Sequence, residues 1–115
     1  MDSELVRRQK IFTGCLGKLI DFILSQGYQI TMAEGYVGDS DPFPHRGPHL
    51  HQGCHYFRLA QDLNIWYNGA LIDGTNQIWK TFGDYWKSLD DYCRYGGDFS
   101  DHDHFSVLHP DGKHE

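Results

Sequence analysis

Residues 35 to 53 constrain this chain of 115 residues more than any other stretch. Three of its four prolines, Pro42, Pro44 and Pro48, fall here among Gly, Asp, Ser and His, with Pro110 the only other. Each proline fixes φ and removes a hydrogen-bond donor, so neither a helix nor a central strand runs through the segment. Regular structure must come from the residues on either side. A loop of this length inside a small domain is usually functional, and this one carries His45, His49 and His51.

Before the loop, Leu5, Phe12, Cys15, Leu16, Leu19, Ile20 and Ile23 recur at three- and four-residue spacing. That spacing predicts an amphipathic helix with one buried stripe, capped by Ser3 and stopped at Gly27. A strand is expected from Tyr28 to Ala33, with Tyr28, Ile30 and Met32 on one face. After the loop, Leu59 to Tyr67 reads as a strand with Leu59, Leu63 and Ile65 on one face and Ala60, Asp62 and Asn64 on the other. Asn68-Gly69 is a hairpin signal, returning through Ala70-Leu71-Ile72. A second helix is expected over Gln77 to Leu89, burying Trp79, Phe82 and Trp86, although Gly83 weakens it by about 1 kcal/mol relative to alanine. Tyr95-Gly-Gly97 interrupts the chain, Phe105 to Leu108 forms a closing strand, and residues 109 to 115 are a polar tail. The expectation is one α+β domain spanning residues 1–115, with two main helices and an antiparallel sheet.

Composition excludes several classes. The apolar fraction of 39% and aromatic fraction of 15% supply one modest core. A net charge of −6 lacks the footprint of a nucleic-acid binder. The basic cluster Arg7, Arg8 and Lys10 reads as a solvated helix face. No apolar run is long enough to span a membrane. The acidic opening Met1-Asp-Ser-Glu lacks the basic start of a signal peptide, so cytoplasmic synthesis is expected. Cys15, Cys54 and Cys93 are widely spaced with no CxxC pair, which reads as reduced thiols. A monomer is expected.

The chemistry lies in two segments. Asp62 interrupts an apolar strand, and a carboxylate there needs a hydrogen-bonding partner or a metal. Arg58 or a nearby turn would satisfy it equally well. His55 stands seven residues earlier, on the opposite face by strand parity, so its convergence with Asp62 requires a bend between them. Asp101-His102-Asp103-His104 crowds four potential ligands ahead of the closing strand, although such a turn can also serve only to cap backbone amides. If the strand has begun there, His102 and His104 share a face, as do Asp101 and Asp103. A catalytic zinc takes three protein ligands of this kind and leaves a fourth position for water.

Read together, His55-x-x-Arg-Leu-Ala-x-Asp62-Leu-Asn, Tyr95-Gly-Gly-Asp-Phe99 and Asp101-x-x-His104-Phe resemble the zinc peptidoglycan peptidases. That family groups D-alanyl-D-alanine carboxypeptidases and dipeptidases with phage L-alanyl-D-glutamate endolysins. Ala33-Glu-Gly-Tyr36 and Trp86-Lys-Ser-Leu89 fit the same layout. The resemblance implies a small α+β fold whose antiparallel sheet holds Zn2+ through His55, Asp62 and His104. It implies Asp101 as the general base and then the acid that protonates the leaving amine. Tyr36, Arg58 and His102 would line the substrate groove. The implied substrate is the peptide stem of bacterial peptidoglycan, cut at L-Ala-D-Glu or D-Ala-D-Ala by a phage or prophage lysis enzyme.

Three positions depart from the family pattern. Gly53 replaces the usual serine, Arg58 replaces a glycine as in the phage-type branch, and Val37 replaces an arginine that helps hold substrate or developing charge. Val37 therefore keeps a second expectation open, a catalytically silent relative that binds zinc and wall peptide or a protein partner. A third is a domain with no metal, whose histidines are merely surface residues.

Overall fold

Ser3 begins the first helix as its spacing predicts: its Oγ accepts from the Val6 N–H at 3.1 Å, and α1 runs over Glu4–Ser25. The computed structural model describes residues 2–33, 54 and 57–112. Along these, α1 is followed by β1 (Gln29–Met32), β2 (Ala60–Tyr67), β3 (Ala70–Leu71), α2 (Ile78–Leu89), β4 (Cys93–Tyr95) and β5 (His104–Val107). A single 3-10 turn, Gly96–Phe99, joins β4 to β5. The result is an α+β domain in which the strands form one sheet in the order β1-β2-β5-β4, with β3 paired to β2. Every pairing is antiparallel.

Both helices contribute to a single core. Phe12, Leu19 and Ile23 of α1 and Trp79, Phe82 and Trp86 of α2 cluster with Leu59, Leu63, Ile65, Phe105 and Val107. Each of these aliphatic or phenyl side chains contributes about 1.5–3 kcal/mol by leaving water. Trp86 organises the cluster. It meets Phe12 and Phe105 edge-to-face, and its indole N–H is shared between the carbonyls of Arg94 and Ser106, each at 3.0 Å. One side chain of α2 thus holds β4 and β5 together. Strand alternation sends Ala60, Asp62, Asn64 and Trp66 to the opposite face of the sheet.

Several local expectations are corrected. Arg8 does not belong to a solvated face, although Arg7 and Lys10 do. Its guanidinium lies 3.6 Å from the centre of the Tyr92 ring and donates to Glu4 and to the Leu108 carbonyl. A buried cation is tolerated when paired and hydrogen-bonded in this way. Met32 is 55% exposed and so does not join the core with Ile30. The expected return strand ends at Leu71, before Ile72. The break expected at Tyr95-Gly-Gly97 is instead the end of β4 followed by the 3-10 turn. The closing strand begins one residue early, at His104, and ends at Val107. The three cysteines are buried free thiols, and burial pushes the Cys15 and Cys93 thiols up. Cys54 is fully buried, its Sγ directed at the Val107 carbonyl, and has no access to solvent as a nucleophile.

Gly83 has a packing role that its helix propensity hides. A β-carbon at this position would be driven into the Tyr95 ring, so glycine is what lets α2 settle on β4. Gly83→Ala is expected to lower the midpoint of urea unfolding. Overpacking costs about 1–3 kcal/mol, against the roughly 1 kcal/mol that alanine gains in a helix. An unchanged or higher midpoint would show that Tyr95 moves aside without cost.

Candidate metal centre

The register of β2 against β5 sets Asp62 directly opposite His104. Directly opposed residues in an antiparallel pair have their β-carbons about 4.5–5.5 Å apart, and here the side chains meet. His104 Nδ1 lies 3.0 Å from Asp62 Oδ1. Both residues are buried, His104 at 2% exposure and Asp62 at 9%. This pairing answers what an aspartate does in an apolar strand: it faces an imidazole on the neighbouring strand.

The segment ahead of β5 brings in two more carboxylates. Asp101 N–H donates to the Gly96 carbonyl at 2.8 Å, and His104 N–H donates to the Asp101 carbonyl at 3.1 Å. The chain therefore turns through Asp101 to Asp103, and strand parity does not extend to those residues. A β-carbon on Gly96 would collide with the Asp101 carbonyl and His104 Cβ, so the double glycine permits this tight return. Asp101 Oδ2 comes within 3.9 Å of His104 Nδ1, and its side chain is half exposed. Asp103 is half-buried. Burial, the Asp62 charge and a hydrogen bond with Asp101 push its carboxyl up to about 7. The expectation that Asp101 and Asp103 share a strand face is replaced by carboxyl-to-carboxyl contact within a turn.

The donor chemistry suits a zinc ion. The 3.0 Å between Nδ1 and Oδ1 is a hydrogen-bond distance, and it is also near the roughly 3.3 Å between two ligand atoms bonded at about 2.0–2.1 Å to a tetrahedral zinc. Among the described residues, no three His, Cys, Asp or Glu side chains form a group that could hold a metal. His55, the third ligand that the resemblance implies, lies outside the described residues, as do Tyr36, Val37 and the loop histidines. Arg58 is exposed and adopts a φ of 59°, in the left-handed region. The chain thus bends immediately before β2, and the parity of that strand does not carry back past Leu59.

His102 is placed differently from its neighbours. Its ring packs edge-to-face on Trp79 at 4.8 Å and covers Gly74, where a β-carbon would collide with it. It lines a cleft of about 350 Å³ with Gln77, Lys80, Tyr95 and Asp98. Sequence reasoning placed Asp103 only as one of four possible ligands. Its contact with Asp101 depends on the turn geometry that Gly96 allows, which spacing alone does not report. No protein-family model matches the chain, and no match is found among curated proteins.

The Asp103 carboxyl carries a pH signature. Its folded value lies above the ordinary 3.8, so the folded protein binds the extra proton between about pH 4 and pH 7. The stability contributed by that proton is present below this window and is lost as pH rises through it. Asp103→Asn removes the titration. With chelator present, the unfolding free energy of the variant relative to wild type is expected to rise from pH 4 to pH 7 and then level off. A difference independent of pH would show that Asp103 ionises as an ordinary surface aspartate.

Proposed function

We propose that this chain is a zinc-dependent peptidase that hydrolyses the peptide stem of bacterial peptidoglycan, as an L-Ala-D-Glu endopeptidase or a D-Ala-D-Ala carboxypeptidase of the phage lysis type. The observation that carries the proposal is the buried Asp62–His104 pair, held side by side by adjacent strands with the Asp101 carboxylate 3.9 Å from the imidazole. These are three of the four residues, His55 being the other, to which the resemblance gives zinc-binding or proton-transfer roles. Asp62 and His104 would hold the zinc, with His55 as the third ligand. When bound, the metal supplies an activated water near neutral pH and a positive charge facing the developing oxyanion.

The remaining chemistry belongs to the chain. Asp101 is reached by solvent and takes a proton from the attacking water. The same carboxyl then passes a proton to the leaving amine. Asp103, hydrogen-bonded to Asp101, orients it. Asp62 and His104 are buried and in contact with each other, so little reorganisation is needed when the substrate arrives. Among the described residues, no helix is long and apolar enough to cross a membrane.

Metal analysis of the purified protein is expected to find about one zinc per chain, and His104→Ala to abolish it and lower stability. Asp101→Asn is expected to retain zinc and to slow release of new termini from purified peptidoglycan, followed by mass spectrometry, by about 10²–10⁴-fold. Unchanged cleavage in Asp101→Asn would remove it as the base, and a protein that takes up no zinc would overturn the proposal. Val37, at a position where the family usually has arginine, favours a second reading, a zinc-bound relative that binds wall peptide without cutting it. An intact digest from a zinc-loaded protein selects that reading.

A further inference from the structure

The sheet face that carries Asp62 continues along β2 to Asn64 and Trp66. At Trp66 the strand has neighbours on both sides. Gln29 of β1 and Leu71 of β3 are its register partners, so Gln29, Trp66 and Leu71 form one row across the sheet. The Trp66 indole N–H donates to Thr31 Oγ1 at 2.9 Å, which fixes the plane of the ring. Leu71 is 54% exposed, and Trp66 and Asn64 are partly exposed. The β2–β3 hairpin beneath is set by the two-residue turn Asn68-Gly69, with φ of 49° and 78°. The row is thus an aromatic ring held in place beside an aliphatic side chain, bordered by an amide and a hydroxyl.

Its charge is as informative as its shape. Gln29, Thr31, Asn64, Trp66 and Leu71 carry none, on a chain whose net charge is −6. Neither a cation nor an anion is selected there. What fits is a neutral ligand with one apolar face and a periphery of hydrogen-bonding groups. An N-acetylated pyranose has both, since its axial C–H face packs on an aromatic ring while its hydroxyl and acetamido groups meet amides and hydroxyls. Strand rise of about 3.3 Å per residue puts Trp66 roughly 13 Å from Asp62. That is the reach of a short peptide bound at the Asp62–His104 pair with a sugar at its end.

We propose that Trp66, with Leu71, Asn64 and Thr31, is a saccharide subsite that binds the glycan strand of the substrate alongside the peptide held at Asp62 and His104. The proposal rests on the peptidase reading of that site. Thr31 is a positioning residue, acting through the Trp66 ring. The subsite makes the protein prefer stems still attached to glycan over free stem peptides.

Titration with an N-acetylglucosamine tetramer, followed by nuclear magnetic resonance of the folded protein, tests this without any cleavage. The Trp66 indole N–H and the amides of Asn64 and Leu71 are expected to shift saturably. Trp66→Ala should weaken binding at least tenfold, and Thr31→Val, which keeps the shape and loses the hydrogen bond, about threefold. Both side chains lie off the helix-covered face, and the amide spectrum reports whether each variant stays folded. No saturable shift at the Trp66 indole, undiminished binding in Trp66→Ala, or shifts produced by free stem peptide but not by the sugar would each overturn the subsite. A protein that binds the tetramer but leaves peptidoglycan stems uncut refutes the peptidase and keeps the subsite. One that cuts stems without binding the tetramer does the reverse.

Discussion

Strand β5 sits between β2 and β4, and the rest of the molecule is arranged around that placement. All four of its residues, His104 to Val107, are buried. Phe105 and Val107 enter the core beneath the helices, while His104 faces Asp62 across the β2 ladder. The Trp86 indole locks β5 to β4 from the helix side, and Arg8 anchors the chain just beyond the strand to α1 through the Leu108 carbonyl. A shift of one residue in the β2–β5 register would exchange the two faces of the strand. It would turn His104 toward the aromatic side chains of the core and Phe105 toward Asp62, so the hydrophobic core and the candidate centre hold each other in register.

Much of this frame can be read from residue patterns. Ser3 capping α1, the three- and four-residue spacing from Phe12 to Ile23, Asn68-Gly69 and the Trp79–Phe82–Trp86 stripe are local signals, and each has a local cause. The odd-numbered apolar positions of β2 likewise separate Asp62 from Leu63. Strand β4 is harder to find because Cys93-Arg-Tyr95 is too short for alternation to stand out, and its pairing with β5 is non-local. Arg8 looks like a surface cation because its Tyr92 and Leu108 partners lie far along the sequence. The candidate centre divides in the same way. Asp62 and His104 are visible as residue types out of keeping with their strands, whereas the Asp101–Asp103 contact depends on a turn that Gly96 permits.

The acidic turn and the neutral row stand at opposite ends of the Asp62 face of the sheet. Three carboxylates, Asp62, Asp101 and Asp103, lie at the end near β5, where burial first and then the neighbouring carboxylates push the Asp103 carboxyl up. At the β1–β3 end, charge disappears and a fixed indole takes its place. On the peptidase reading proposed above, a ligand spanning both ends would combine a cleavable bond with an uncharged, flat-faced group.

The place of β5 along the chain bears on when the molecule can mature. Strand β5, internal to the sheet, is made after every other strand of the described residues, and its partners in β2 lie some forty residues earlier, as in the pairing of Asp62 with His104. While the ribosome is still translating, β2 and β4 have no neighbour to join them, and α2 rests on a divided sheet. Asp62 has no imidazole opposite it until residue 104 has emerged. Long-range closure of this kind is slow compared with helix formation, so the Asp62–His104 pair forms only after synthesis has passed β5.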